Sequence, residues 1–144
     1  ANFLKETNPK LFKLLTHTPV KFKDNDYTQD KIRIYHSSII NLSNNGDFSD
    51  IRFNMGAMGT LNINPNLMEM FYKAYRKFSS LLNSSEYLIK FKLEAGDIFC
   101  FNNRRVLHGR TEFNPNSGHR HLQGYYIDRD EILSRLSFLK KTIA

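Results

Sequence analysis

The apolar segments of this chain are short, many of them alternate with polar residues, and turn signals separate them. This pattern constrains the fold more than any other feature, because alternation with a period of two is typical of strands. It predicts about six strands, with helices at the beginning, middle and end of the chain. Strands and helices do not follow one another in turn, so the strands are expected to pair in antiparallel fashion. The sequence therefore predicts one mainly β domain with flanking helices.

Helices are predicted where apolar residues recur at three- and four-residue spacing. The first begins at Asn8-Pro9 and the second at Asn64-Pro65, because Asn is a good N-cap and Pro fits the first helical position. They are expected to end at residues 18–19 and 83–85. The last helix is predicted over residues 129–141, and its aliphatic side chains are expected to point inward: Ile132, Leu133, Leu136 and Leu139.

Strands are predicted over residues 20–23, 31–42, 50–54, 87–93, 98–101 and 119–128, with a short extended segment at 61–63 after a bend or bulge that follows the third. Apolar and basic residues alternate over residues 89–93, which predicts a half-buried strand. Residues 98–101 are predicted as a buried strand that contains the single cysteine, Cys100. The run 44–47 (Asn-Asn-Gly-Asp) predicts a turn, and Gly56 with Gly59 predicts a bend. No linker separates these segments, so residues 1–144 are expected to form a single domain.

Composition limits the compartment and the partners. With 144 residues the chain is long enough for one core. A single cysteine excludes a disulfide framework and a cysteine-based zinc cage, which indicates a reducing compartment, the cytoplasm or alternatively the mitochondrion. No apolar run approaches the length of a membrane span. The chain starts without Met and without a signal sequence, so it is expected to begin inside a longer protein.

The net charge of +7 and the isoelectric point near 9.6 raise the question of nucleic-acid binding. The lysines and arginines are scattered, however, and no run of five or more occurs. No segment resembles an RNA-binding aromatic signature. The basic residues are therefore interpreted as solvated faces with a few that face anions. Neither a nucleic acid nor a membrane is expected as a partner.

Two residues in the C-terminal third could carry chemistry together. His108, which precedes a glycine, is a neutral nitrogen donor suited to a divalent metal. Arg120, twelve residues later on the next predicted strand, is a planar fork that can grip a carboxylate in bidentate fashion. On neighbouring strands, the two could hold a ligand that chelates metal at one end and carries a carboxylate at the other.

The stretches around these two residues resemble the γ-butyrobetaine and trimethyllysine dioxygenase family, within the taurine-dioxygenase-like oxygenases. The resemblance rests on residues 103–110 (Asn-Arg-Arg-Val-Leu-His-Gly-Arg), 120–128 (Arg-His-Leu-Gln-Gly-Tyr-Tyr-Ile-Asp) and 130–136 (Asp-Glu-Ile-Leu-Ser-Arg-Leu). Looser matches at residues 8–12 and 18–20 extend it to the front of the chain. Residues 117–122 and 134–136 match the γ-butyrobetaine enzymes better. The resemblance implies the later part of a double-stranded β-helix, a jelly-roll barrel.

The resemblance also implies a reaction and roles for four residues. His108 becomes the third ligand of a two-His, one-carboxylate iron(II) site, and Arg120 binds the far carboxylate of the co-substrate 2-oxoglutarate. Tyr126 belongs to an aromatic box around a trimethylammonium group, and Asn54 contacts the carboxylate of the substrate. Strand alternation independently puts residues 120 and 126 on one face, and cation–π attraction suits a quaternary ammonium. The implied reaction is hydroxylation of a trimethylammonium substrate, γ-butyrobetaine to carnitine, with trimethyllysine as the alternative.

One part of the family pattern is missing from this sequence. The first two iron ligands form a His-x-Asp motif, and none of the five histidines is followed two positions later by Asp or Glu. Residues 1–144 are therefore interpreted as the C-terminal portion of one catalytic domain, inactive alone because one imidazole cannot hold iron tightly. Besides the small-molecule substrate, the expected partner is the missing N-terminal half of the same protein or a second copy. An alternative is a non-catalytic jelly-roll module that binds a small anion or a partner chain.

Each candidate residue also has a structural interpretation. His108 could be a hydrogen-bonded surface residue, Arg120 could form a surface salt bridge, and Tyr126 could belong to the core. For His108 and Arg120 the flanking motif favours the ligand roles, whereas for Tyr126 both interpretations stay open. His119 and His121 are interpreted as structural.

Overall fold

A computed structural model describes residues 1–26, 30–112, 114, 116, 118 and 121–143. The chain divides into two compact units, Ala1–Gly109 and Arg110–Ala144. Three of the helices in the described part belong to the first unit and one belongs to the second. Within that part, no helix combines the length and the apolar character needed to cross a membrane.

Helices α1 (Asn2–Thr7), α2 (Pro9–His17) and α3 (Pro65–Leu82) are in the first unit. The predicted beginnings of α2 and α3 are confirmed, and at α3 the Asn64 side chain accepts a hydrogen bond from the Asn66 N–H at 3.0 Å. Helix α1 was not predicted. It is separated from α2 at Asn8, which adopts an extended φ of −144° because the residue before a proline avoids the helical region.

The strands form two separate antiparallel pairs. Strand β1 (Val20–Asp26) pairs with β2 (Lys31–Ser37), and β3 (Ile40–Leu42) pairs with β4 (Phe48–Ile51). The predicted strand over residues 31–42 is therefore two strands. The chain breaks between them because the Asn41 side-chain amide bonds back to the Ser38 carbonyl at 3.3 Å, a local bond that competes with the ladder.

The connection between β3 and β4 confirms the turn predicted over residues 44–47. Ser43 donates its N–H to the Asp47 carbonyl at 2.8 Å, and Gly46 adopts a positive φ of 80° that favours glycine. The bend predicted at Gly56 and Gly59 is also confirmed, as a turn over residues 55–57 followed by a bridge between Met58 and Phe22.

Among the described residues, the buried core lies entirely within the first unit. Helix α2 packs against α1, α3 and β3, and the buried side chains form one cluster. This cluster contains Leu4, Leu11, Phe12, Leu15, Val20, Phe22, Ile39, Ile40, Ile51, Phe71, Ala74, Tyr75 and Phe78. Burial of apolar area at about 25 cal/mol per Å² makes this cluster the main source of stability in the unit.

The strands predicted over residues 87–93 and 98–101 are wrong. Both segments lie wholly within the described part of the chain, and neither forms a strand. Ile89 is 85% exposed and Ile98 is 95% exposed, and Cys100, predicted as buried, is exposed as well. Residues 61–63 likewise form no strand. Alternation supplies an apolar face, but a strand also needs a neighbour for its N–H and C=O groups, and these segments have none among the described residues.

The second unit contains helix α4 (Arg129–Ile143), which confirms the predicted last helix. Acidic residues in its first turn and basic residues in its last turn complement the helix dipole. Its four predicted inward side chains are instead 37–48% exposed. The strand predicted over residues 119–128 is wrong for residues 121–128, which form no strand, and residues 119 and 120 lie outside the described residues.

The fold prediction is therefore confirmed in part. The predicted antiparallel pairing and flanking helices are present. A closed barrel is not formed by the described residues, in which each sheet has two strands and helical residues outnumber strand residues.

Tyr75 provides a test of the core. Its ring stacks on Phe53 with centroids 4.6 Å apart, and its hydroxyl is buried without a hydrogen-bond partner among the described residues. Replacing Tyr75 by Phe keeps the ring and removes that hydroxyl, so urea denaturation is expected to show a gain of about 1 kcal/mol in unfolding free energy. Tyr72→Phe, at an exposed position, serves as the control and should change little.

The same residue predicts a dependence of stability on pH. Burial raises the pKa of the Tyr75 phenol. Above the ordinary tyrosine pKa of about 10, the phenol therefore ionises first in the unfolded state. The free energy of unfolding then falls as the pH rises. Tyr75→Phe should lack that part of the fall. A loss of stability in Tyr75→Phe at neutral pH would contradict the assignment of an unpaired hydroxyl.

Candidate functional site

His108 follows a turn that the sequence encodes locally. Asn102 accepts a hydrogen bond from the Arg104 N–H through its side chain at 3.0 Å, and its carbonyl accepts one from the Arg105 N–H at 2.9 Å. Asn favours this geometry because its side chain can bond the backbone two residues on. The turn reverses the chain and leads to His108, whose side chain is exposed.

This turn is anchored to strand β4. The Ile51 N–H donates to the Arg104 carbonyl at 2.9 Å, and the Arg105 guanidinium lies 5.0 Å from the centre of the Phe48 ring. A guanidinium within about 6 Å of a ring face is attracted to it. The basic residues were predicted to be mainly solvated, and no local pattern reveals this contact because Phe48 is more than fifty residues away.

An aromatic row runs up to His108. Its imidazole lies 4.7 Å from the Phe101 ring, which lies 5.0 Å from Phe99, which in turn lies 5.0 Å from Phe91. Tilted ring pairs at such distances attract one another. Phe101 therefore restrains the orientation of His108, and none of the described residues forms a hydrogen bond with either ring nitrogen, an arrangement compatible with a metal ligand.

Asn54 lies in the bend before Gly59. Its side-chain oxygen accepts a hydrogen bond from the Gly56 N–H at 3.0 Å, and its carbonyl accepts one from the Met58 N–H at 3.0 Å. These bonds give Asn54 a structural role in the turn. Its predicted contact with a substrate carboxylate stays a prediction.

Tyr126 and Arg120 belong to the second unit. Tyr126 is 90% exposed, and the segment that carries it forms no strand, so the argument from strand alternation is not supported there. Arg120 lies outside the described residues. The structure thus places His108 and Asn54 in the first unit and Tyr126 in the second, and their predicted roles stay predictions.

The donor set of a complete iron site is not found in the described part of the chain. No three His, Cys, Asp or Glu side chains lie together there as possible metal ligands. A two-His, one-carboxylate site requires three protein donors that leave positions open for other ligands. His108 is available as one donor, but the described residues do not fit the group by themselves.

The class of protein follows from a match over residues 1–126 to the family model described as taurine catabolism dioxygenase TauD, TfdA family. The chain belongs to this family of dioxygenases. The family predicted from the residues around His108 and Arg120 is thereby confirmed.

Individual relatives within the family are similar to this chain over nearly its whole length. γ-Butyrobetaine dioxygenase of Pseudomonas sp. (strain AK-1) is 37% identical over 143 residues, covering 98% of this chain and 36% of the relative. γ-Butyrobetaine dioxygenase of Homo sapiens is 35% identical over 144 residues, covering 97% and 37%. Trimethyllysine dioxygenase of Meyerozyma guilliermondii is 31% identical over 144 residues, covering 96% and 35%. The chain spans little more than a third of the length of these relatives.

The incomplete donor set predicts how the 144-residue chain responds to metal. We expect Co(II), used as a spectroscopic substitute for Fe(II), to bind it weakly and without a tetrahedral or five-coordinate absorption band, because one imidazole is a single donor. Titration should give the same spectra for the wild type and for His108→Ala. A saturable band that His108→Ala removes would contradict this expectation and would show that further ligands exist within the chain.

Proposed function

We propose that this chain is part of an iron(II)- and 2-oxoglutarate-dependent oxygenase that hydroxylates γ-butyrobetaine to carnitine. The main support is the sequence identity of 37% and 35% to two γ-butyrobetaine dioxygenases over nearly all of the chain. The 31% identity to a trimethyllysine dioxygenase supports the broader class, an oxygenase of trimethylammonium substrates. Trimethyllysine is the second candidate substrate.

His108 is proposed as one iron ligand. Its exposed imidazole follows a turn anchored to β4 and lies against Phe101, so its position is defined by contacts within the first unit. A neutral imidazole is a good donor for Fe(II). Iron supplies the oxidising chemistry in such an oxygenase, whereas the protein supplies ligands, orientation and a shielded cavity.

Arg120, Tyr126 and Asn54 are proposed to hold the two organic molecules. Arg120 suits the far carboxylate of 2-oxoglutarate because its planar fork can donate two parallel hydrogen bonds. Tyr126 suits the trimethylammonium group through cation–π attraction. Its 90% exposure favours this role over a core role within the second unit. Asn54 retains its proposed contact with the substrate carboxylate, although its side-chain oxygen already serves the turn.

We also propose that this chain acts together with a further polypeptide segment, the N-terminal half of the same protein or a second copy. The support is an exposed apolar stretch within residues 87–107. Phe101 is partly buried, whereas the other large apolar side chains of the stretch are at least 40% exposed: Tyr87, Leu88, Ile89, Phe91, Leu93, Ile98, Phe99, Val106 and Leu107. Contiguous exposed apolar surface of this kind marks an interaction site or an aggregation hazard. A covering segment would also supply strand neighbours and the remaining iron ligands.

One observation favours the non-catalytic alternative, in which the module binds a small anion or a partner chain. It is the lack of three clustered metal-type ligands among the described residues. The two hypotheses differ in a single measurable property, the turnover of 2-oxoglutarate by the complete protein.

That turnover tests the proposed function. With Fe(II) present, the complete protein should consume O₂ and 2-oxoglutarate and release succinate and CO₂, with one oxygen atom entering succinate and the other the hydroxylated substrate, and γ-butyrobetaine should stimulate this conversion more than trimethyllysine does. His108→Ala should abolish it. Arg120→Lys should raise the KM for 2-oxoglutarate roughly tenfold or more, since losing a charged hydrogen bond costs about 1.5–3 kcal/mol. Arg129→Lys, on the exposed α4, is the matched control.

Two outcomes would count against the proposal. Turnover that no trimethylammonium compound stimulates would remove the substrate class, and full activity in His108→Ala would remove the ligand assignment. Stronger stimulation by trimethyllysine would move the protein to the second candidate substrate.

The exposed apolar stretch predicts that the 144-residue chain self-associates. Light scattering at micromolar concentration should give a mass above that of the monomer, because uncovered apolar surface and unpaired backbone favour association. Ile98→Lys should reduce the association, since Ile98 is 95% exposed within the stretch. Met55→Lys, at a position 74% exposed outside it, is the control and should not. A monodisperse monomer would argue against a missing partner.

A further inference from the structure

One face of the β1–β2 pair carries three basic side chains beside the exposed Ile32 and Ile34. Val20 and Phe22 of β1 are 2% and 1% exposed, so the alternation of the strand places Lys21 and Lys23 on the opposite, solvent-facing side. His36 of β2 is directly opposite Lys21 in the antiparallel register and shares its face. The hairpin therefore presents two ammonium groups and an imidazole on one side.

A second segment runs along the other edge of β1. Lys23 donates its N–H to the Ala57 carbonyl at 2.7 Å, and Gly59 donates its N–H to the Lys21 carbonyl at 2.8 Å. These bonds flank the bridge between Phe22 and Met58. They hold residues 57–59 beside β1, so that Thr60 and Asn62 follow next to the basic face.

The two elements border a solvent-open cavity of about 500 Å³. It is lined by Pro19, Lys21, Lys23, His36, Gly59, Thr60 and Asn62, which we call the basic cavity. Its lining offers two ammonium groups, an imidazole, a hydroxyl and a carboxamide, and these described residues include no carboxylate. Asp24, the next acidic residue on β1, falls on the other face by strand alternation.

The spacing suits one ligand with two negative charges. Lys21 and Lys23 are alternate residues of a strand, so their Cα atoms are about 7 Å apart, and their long side chains can converge on one anion. Thr60 and Asn62 can add uncharged donors, which give an anion site its directionality. An ordinary solvated strand face has lysines alone, whereas here the two lysines line a cavity that also contains uncharged hydrogen-bond donors.

We infer that the basic cavity binds a small dianionic oxyanion, either a phosphate group or a dicarboxylate. Lys21 and Lys23 supply the charge, and His36, Thr60 and Asn62 supply hydrogen bonds. The site uses none of the residues assigned to iron, 2-oxoglutarate or the trimethylammonium substrate, so it stands independently of the proposed oxygenase activity.

Equilibrium dialysis of the 144-residue chain tests this site, because the method tolerates self-association. Radiolabelled inorganic phosphate and succinate are dialysed separately, with chloride keeping the ionic strength near ~0.15 M so that diffuse attraction is screened. The expected result is saturable binding of one equivalent. Lys21→Gln combined with Lys23→Gln should weaken it by about tenfold or more, since both charged contacts are lost. Whichever of phosphate and succinate binds more tightly identifies the oxyanion group.

Two further variants distinguish a specific anion site from non-specific attraction to positive charge. Lys10→Gln combined with Lys13→Gln removes the same charge from the exposed face of α2, and it should change the affinity by less than about twofold. Thr60→Val keeps the charge and shape but removes one donor, and it should weaken binding by about threefold. Equal losses in the two double variants, or binding no stronger than that of chloride, would overturn the proposal. So would an unchanged affinity in Thr60→Val.

Discussion

Burial of apolar side chains between helices α2 and α3 and the short strands is the interaction on which the first unit depends. Val20, Phe22, Ile39 and Ile40 belong to the same buried cluster as Leu15 and Phe71. Because one face of β1 is committed to this cluster, its alternate residues must face solvent. The same burial therefore holds the fold together and creates the basic face of Lys21 and Lys23. Packing and a candidate anion site are two consequences of one strand orientation.

The exposed apolar stretch shows the opposite situation. Residues 89–93 have the alternation of a half-buried strand, and residues 98–101 have the composition of a buried one, yet the structure leaves both uncovered. Their intrinsic preference is not the reason, since β-favouring residues are present. A ladder requires a second strand to receive each N–H and C=O, and a buried face requires a surface to cover it. The relatives are nearly three times as long as this chain, and the proposed partner segment would supply both.

The position of His108 depends on both local and long-range contacts. The turn before it is encoded by Asn102, whereas its attachment to β4 comes from the Arg104 carbonyl and the Arg105 guanidinium. In the proposed function, His108 would be one of several metal donors on different elements of a TauD, TfdA family member. The described residues contain no group of three possible metal ligands, so the other donors of that proposed site would have to come from outside them.

Local signals were sufficient for helices α2, α3 and α4, for the turn at residues 44–47 and for the family, because each depends on residues close together in the sequence. They were insufficient for α1, for the break between β2 and β3, and for the exposure of α4. They also could not reveal the Arg105–Phe48 contact or the basic cavity. The break between β2 and β3 comes from a local side-chain bond that periodicity does not register. The exposure of α4, the Arg105–Phe48 contact and the basic cavity depend on which distant segment is the neighbour, and periodicity records a residue's preference for burial or pairing without identifying the surface that satisfies it. Only the tertiary arrangement decides that.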